Sequence, residues 1–300
     1  MNAKKRLQAS LLVLIGAASY GMLSTFVKLA YAQGFTASEV TASQVFFGAV
    51  VMWLICLPFW KQIRRIPFRI ALKLMGSGFF TGICGVFYYY SLQTLDASFA
   101  VLLLFQFTWM GLLVDMLLGG KMPGKFQLLS VLIVLAGTLL ASGVLQGGIS
   151  RISPSGIGLG LLAAASYTMF IFFSGKVATE VPAVIRSAWM LTGALAIVLA
   201  MNTPQFLWNG SLPGGLWFWA ILLSLFGMII PPYMFAKGAP YLDTGVSALI
   251  GAVELPVVIL CSNLLLGEHT GIVKWLGVAL IFCGVGISGL KSKSKPEPAS

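Results

Sequence analysis

The chain has 300 residues, 58% of them apolar and only 9% charged, with 19 Lys and Arg against 8 Asp and Glu. Soluble domains carry about 25% charged residues, so the composition excludes an ordinary water-soluble globule. The net charge of +11 does not indicate nucleic acid, because the basic residues are scattered over the ends of apolar runs and make no groove for a phosphate backbone.

The first apolar run, 8–31, follows Lys4, Lys5 and Arg6. A signal peptide starts this way, and Ala30-Tyr31-Ala32 imitates a cleavage site, but the run exceeds the hydrophobic region of about 7–15 residues that such peptides carry. It is long enough to cross a hydrocarbon core of about 30 Å as a helix. On that helix Ala17, Tyr20, Gly21, Ser24 and Lys28 share a face. The second run, 40–60, carries Gln44, which either holds a neighbouring helix or reads a polar ligand group. The third, 72–94, has a small, polar stripe of Ser77, Thr81, Cys84, Tyr88 and Ser91, which fits a cavity wall or tight packing. Gly78 and Gly82 on the adjacent face favour close helix contact, and the Tyr88 hydroxyl needs a partner if buried.

The fourth run, 97–118, holds Gln106 and Trp109 three residues apart, and Asp115 near its inner end. Asp115 is either a coupling group or a carboxylate satisfied by water or a loop lysine such as Lys121. The fifth run is 126–146 and the sixth 154–175, where Gly156-Ile157-Gly158-Leu159-Gly160 fits close helix packing. The sixth also contains Tyr167, which flanks a ligand or packs mid-helix. The seventh run is 183–202. The eighth, 214–237, aligns Trp219, Phe226, Tyr233 and Lys237 beside Pro231-Pro232. Two prolines remove backbone donors, a break tolerated where it lines a cavity or lies inside protein. An aromatic ladder ending in a lysine suits an amino acid, and a lysine near a span's end equally suits snorkelling. The ninth run, 244–266, buries Glu254 two residues before Pro256. Glu254 binds a substrate ammonium, takes up a proton, or caps backbone groups that Pro256 frees. The tenth run is 272–290, ended by a solvated tail, 291–300, that reads as disordered.

With the N-terminus in the cytoplasm, sixteen of the Lys and Arg residues fall at the inner side and only Lys28, Arg151 and Lys274 at the outer side. Cys56, Cys84, Cys261 and Cys283 have no paired spacing and read as small hydrophobes. His269 is the lone histidine, and neither a metal cluster, a catalytic triad nor a phosphate-binding glycine loop is recognisable. No enzyme activity and no cofactor is expected.

The sequence also repeats itself. Ala17-Ala18-Ser19-Tyr20 returns as Ala164-Ala165-Ser166-Tyr167, Leu95-Asp96 as Leu242-Asp243, and Gly137 as Gly284, each displaced by 147 residues. Residues 1–150 and 151–290 are therefore two copies of a five-span unit, and an odd number of spans puts the second copy upside down in the bilayer. The strongly basic loop from Lys61 to Lys73 corresponds to the uncharged Asn202–Gly214, as inversion requires.

The second repeat, with Leu242-Asp243, Glu254-Leu255-Pro256, Leu266-Gly267-Glu268 and Trp275-Leu276-Gly277, resembles the drug/metabolite transporter superfamily, in particular its EamA-type ten-helix exporters and most closely their aromatic amino-acid exporter branch. The first repeat departs from that pattern, with Phe107 and Trp109 standing where Glu254 and Pro256 stand in the second. The resemblance implies a central cavity lined by helices 1, 3, 4, 6, 8 and 9, and export as the direction. The expected fold is all-α, with ten transmembrane helices in two inverted five-helix repeats. The expected substrate site comprises Tyr20, Tyr88, Gln106, Trp109, Tyr167, Trp219, Phe226, Tyr233, Lys237 and Glu254. Pro231, Pro232 and Pro256 are expected to act as hinges, and Glu254 and Asp115 are candidates for proton coupling. The expected function is export of aromatic and other neutral amino acids across a bacterial-type inner membrane, by a monomer with cytoplasmic termini. The alternatives are a sugar-phosphate or nucleotide-sugar carrier, which needs several cations in its cavity, and a non-transporting scaffold.

Overall fold

A computed structural model describes residues 3–95, 97–120, 122–147, 153–267 and 270–291. Asp96, Lys121, Arg151, Glu268, His269 and the tail beyond Lys291 lie outside these. The described residues are all-helical. Nine helices are long and apolar enough to cross a membrane, and a shorter apolar helix spans Ile272–Ile287. In chain order they are α1 (Ala3–Ala32), α2 (Ala37–Cys56), α3 (Phe68–Thr94), α4a (Ala97–Leu104), α4b (Phe107–Gly119), α5 (Lys125–Ser142), α6 (Pro154–Ser174) and α7 (Ala183–Met201). They continue as α8 (within Leu212–Tyr241), α9a (Thr244–Gly251), α9b (Glu254–Leu266) and α10 (Ile272–Lys291).

The ends follow from local chemistry. Thr36 caps α2 through its hydroxyl, and Glu39 reaches back to the Thr36 amide, so two orphan donors are satisfied at once. Ser153 caps α6 ahead of Pro154, whose missing N–H is no loss in a first turn.

Helices 4 and 9 are interrupted at the same place in each repeat. The Gln106 amide bonds Leu103 O and the Thr108 amide bonds Phe105 O; Val253 bonds Ile250 O and Leu255 bonds Ala252 O. These three-residue steps tighten one turn into 3₁₀ form, which redirects the chain. Pro256 alone cannot be the cause, because helix 4 has Trp109 at the matching position and bends there too.

The Pro231-Pro232 pair does not break helix 8 but widens it. Ser224–Ile229 runs as a π-helix, in which the Ile230 amide reaches back to Leu225 O. A second π turn, Leu212–Leu216, opens the helix.

Packing follows a pseudo-two-fold rule. Helix α5 lies on α10 and α2 on α7, while α3 on α6 is mirrored by α8 on α1. The α3–α7 contact is very close, since a methyl group at Gly78 or Gly193 would run into the backbone of Met190 or Met75.

One relationship breaks the symmetry. Helix α4b packs along α9a, whereas the symmetry-related α4a and α9b form no such packed pair among the described residues. The α4b–α9a contact lies at the end of the bundle that carries exposed Lys61, Arg64, Arg65, Arg69 and Lys73, here called the basic end. The bundle is thus closed at its basic end and parted between α4a and α9b at the far end.

Candidate functional site

The two interruptions bring two symmetry-related pairs onto the pseudo-two-fold axis. Tyr20 and Tyr167 occupy equivalent positions in α1 and α6, and Phe107 and Glu254 open the second halves of helices 4 and 9. The Tyr20 and Tyr167 rings meet edge to face at 5.9 Å, and Tyr167 meets Phe107 at 4.7 Å. Tyr167 also stacks on Phe170, which continues to Phe235. Such pairs fix ring orientation as well as burying apolar surface. Gly21 permits the central approach: a Cβ there would sit 2.6 Å from the Glu254 carbonyl oxygen, so α1 and α9b can touch and Tyr20 is set beside Glu254.

Glu254 lies deep in the bundle and interacts electrostatically with Tyr20, Cys84, Tyr88 and Tyr167. Yet Glu254, Tyr20, Cys84 and Tyr88 all keep accessible surface. The Tyr20 and Tyr167 hydroxyls are buried without a hydrogen-bond partner, and the Glu254 carboxylate accepts no hydrogen bond from the described residues. Buried polar atoms normally find partners. A carboxylate and two enclosed phenols without partners beside one another make this the candidate place for a ligand or water.

Four expected site residues therefore converge: Tyr20, Tyr88, Tyr167 and Glu254. Gln106 and Trp109 flank the interruption in helix 4 and bond to each other and to α4a. Gln106 Nε2 donates to Leu102 O at 3.0 Å, and its Oε1 accepts from Trp109 Nε1 at 2.9 Å.

The aromatic ladder of helix 8 lies elsewhere. Trp219 is buried in an apolar cluster with Val27, Val40 and Phe206, and its Nε1 donates to Gln33 Oε1 at 2.7 Å. Phe226 packs on Phe26 of α1. Tyr233 joins a cluster built by α2 and α7 around Ala188 and Leu191. Lys237 is exposed, with its ammonium 5.7 Å from the Tyr233 ring centroid. The face of helix 8 that meets the core carries Phe235, which packs on Gly16 and Phe170.

Pro231 and Pro232 are buried in helix 8, and Pro256 is the third residue of α9b. Asp115 Oδ2 accepts from the Gly245 amide at 2.6 Å, and its expected partner Lys121 lies outside the described residues. It thus caps the N-terminus of α9a from α4b, where a carboxylate also meets the positive end of the helix dipole. Gln44, buried in α2, accepts the Ser224 hydroxyl on its main-chain carbonyl at 2.7 Å.

Three residues of importance were not legible as such. Cys84 read as a small hydrophobe, although it sits one turn from Tyr88. Phe107 read only as a departure from the second repeat, yet it is the symmetry mate of Glu254. In sequence Arg186 counts only among the sixteen inner-side cations, but it is 2% exposed. Its Nη1 donates to Ala236 O at 2.7 Å and its Nη2 to Ser174 O, so it ties the last turns of α6 and α8 to the start of α7. Its symmetry mate in α2 is Glu39, whose carboxylate accepts from Asn209 and Ser211 in the loop before helix 8.

Two matched halves, each with a bent fourth helix, identify the architecture, and the EamA-like transporter family model matches twice, at residues 7–143 and 154–290. The chain belongs to the EamA-like transporter family. It is therefore a multi-pass membrane transporter, with the two-repeat architecture that its own repeats imply. No curated protein matches the chain. Among solved structures, one crystal structure of a protein aligns with this EamA-like transporter at a TM-score of 0.72 and 20% identity. The alignment covers 93% of this chain and 96% of that one, and at such identity it speaks for the fold alone.

Proposed function

We propose that this EamA-like transporter exports amino acids with large uncharged side chains from the cytoplasm across a bacterial-type inner membrane. It works as a monomer by alternating access. The observation that carries the reading is the axial site, where Tyr20, Tyr88 and Tyr167 interact electrostatically with one acid, Glu254, and Phe107 packs on Tyr167. The rings suit an apolar or aromatic side chain, and Glu254 suits an ammonium group or a coupling proton.

Alternating access is supported by the unequal ends. With the basic end as the cytoplasmic end, as the charge distribution favours, α4b on α9a closes the inner side and the parted α4a and α9b open the outer side. Exchanging the conformations of the two repeats exchanges which side is open. The 3₁₀ turns near Gln106 and Val253, with Pro256, are the flexing points, and the π turns before Pro231-Pro232 let helix 8 follow.

A sugar-phosphate carrier is less well supported. Lys237 is exposed on another face, and the Arg186 guanidinium is already held by two main-chain carbonyls. Purified protein in liposomes, offered labelled phenylalanine, threonine and lysine, tests the proposal. Protein-dependent movement that prefers phenylalanine supports it. Exchange of phosphorylated sugars alone would replace it with the carrier reading.

A further inference from the structure

We propose that a surface groove between α2 and α7, at the basic end, holds one anionic phospholipid, with an acyl chain along the groove and the phosphate among Lys61, Arg64 and Arg65. The proposal depends neither on the axial site nor on the cargo.

The groove has a volume of about 390 Å³ and an almost wholly apolar wall. Val50, Trp53, Leu54, Leu57 and Trp60 form one side, and Leu195 and Thr192 of α7 the other. Val50, Leu54, Leu57 and Trp60 are exposed on the bundle's surface. Trp53 and Thr192 bring polar atoms to the groove, but these are spent on each other. Trp53 Nε1 donates to Thr192 Oγ1 at 2.9 Å, and that hydroxyl donates to Ala188 O at 2.9 Å. An occupant therefore meets carbon surface, which favours a hydrocarbon chain. From Ala49 to Trp60 the groove runs about 16 Å at the rise of a helix. One leaflet supplies half of a hydrocarbon core of about 30 Å, so the groove is about as long as an acyl chain is deep.

The mouth carries the complementary charge. Helix α2 runs on into a 3₁₀ turn, Leu57–Phe59, and a helical turn, Trp60–Ile63. Ile63 is buried in the cluster that α2 and α7 share, so this extension is fastened at the groove's end. The Arg64 guanidinium stands 5.9 Å from the centroid of the Trp60 ring, which itself lines the groove. Lys61 and Arg65 are exposed beside it, and residues 57–73 contain five cations and no acid. A guanidinium fork matches phosphate geometry, and each further cation near the surface adds attraction for anionic lipid. Trp60 is of the residue type that settles at the boundary between chain and headgroup. An ordinary lipid-facing surface has apolar wall or cations; here the two meet at Trp60. The symmetry-related segment, Asn202–Gly214, has no charge, so the far end lacks the counterpart and the site selects one leaflet.

The test uses full-length protein, purified in detergent and stripped of lipid. It is offered dioleoyl-phosphatidylglycerol, dioleoyl-phosphatidylcholine and glycerol 3-phosphate, a headgroup without chains. Native mass spectrometry counts bound lipid, and thermal unfolding reads affinity. One phosphatidylglycerol is expected to bind, about tenfold or more tightly than phosphatidylcholine, and glycerol 3-phosphate not at all. Lys61→Gln, Arg64→Gln and Arg65→Gln together should erase the preference for the anionic lipid. Val50→Trp, which fills the groove and leaves the cations in place, should weaken both lipids about tenfold. Lys125→Gln, at an exposed cation that opens α5, is the control and should change nothing. Melting temperatures without lipid check that each variant folds; should the triple variant fail to fold, Val50→Trp carries the test. Equal binding of the two lipids, unaltered binding in Val50→Trp, or a loss in Lys125→Gln as large as in the triple variant would overturn the proposal. Tight binding of glycerol 3-phosphate would overturn it too, and make this a site for soluble phosphates.

Discussion

The Ser19 hydroxyl in α1 donates to the main-chain carbonyl of Phe226 at 2.7 Å. The reason lies five residues further on. Helix 8 runs in π register here, with the Ile230 amide on Leu225 O, so the next donor in line for Phe226 O would be residue 231. That residue is proline and has no N–H. Ser19 supplies the missing donor from the neighbouring helix and pins α1 to helix 8. Ser19→Ala should lower stability by about 1–2 kcal/mol, and Ser19→Thr should restore most of it. Thermal unfolding in detergent measures this; equal stability of Ser19→Ala and the parent would show that the carbonyl finds another partner.

Arg186 should behave as a structural clamp. Removing its side chain leaves the carbonyls of Ser174 and Ala236 without their donors in a buried place. Arg186→Ala should cost about 3 kcal/mol or more and reduce folded yield. Arg186→Lys should recover part of it, since a single ammonium cannot match the planar fork at both carbonyls. Yield and melting temperature across the three proteins decide the matter.

Asp115 should govern closure at the basic end. Its bond to the Gly245 amide fastens α4b to α9a. Asp115→Asn keeps an acceptor and should be mild; Asp115→Ala should loosen that end by about 1–2 kcal/mol. Loosening is read as faster labelling of a cysteine placed at Ser247, in the same helix, by a reagent added from the basic side. Unchanged labelling in Asp115→Ala would separate Asp115 from closure.

Residues of the axial site and of the helix 8 ladder should part company. Tyr20→Leu, Tyr88→Ala and Tyr167→Leu should reduce transport at normal yield. Lys237→Ala should leave transport unaltered, because its ammonium is exposed beside Tyr233. Trp219→Phe should cost about 1 kcal/mol of stability through the lost Gln33 bond, with little effect on substrate affinity. A large loss of affinity in Lys237→Ala would return the ladder to the substrate path.

Much of the fold could be read from the chain because bilayer physics leaves few options. Uncharged runs of the right length must be helices, and the observed helices follow the expected spans within a few residues, save that α1 starts at Ala3 and α2 continues to a turn ending at Ile63. Inversion was legible in the 147-residue echo that makes Tyr20 and Tyr167 equivalent. What the sequence hid was rotation about each helix axis. The stripe of Trp219, Phe226, Tyr233 and Lys237 is correct as a periodicity, yet π turns at Leu212–Leu216 and Ser224–Ile229 shift the register and Phe235 takes the core face instead. Arg186 hid for another reason. A charge near a span's end normally snorkels to water, and only three-dimensional placement reveals that the ends of α6 and α8 close over it. The interruption in helix 4 had no proline to announce it; its match with helix 9 becomes visible only once Phe107 is paired with Glu254.

We propose that an axial space lies between the inverted repeats, open at the far end and shut at the basic end. Cys84 is a native probe of it, since it interacts electrostatically with Glu254 and keeps accessible surface while Cys56 is buried. With Cys56, Cys261 and Cys283 replaced by alanine, a small charged thiol reagent should modify Cys84 from the outer face of oriented vesicles, not from the cytoplasmic face, and an aromatic ammonium substrate should slow the reaction. Modification from the cytoplasmic face alone, or a Cys84 inert from both faces in transporting protein, would contradict the account.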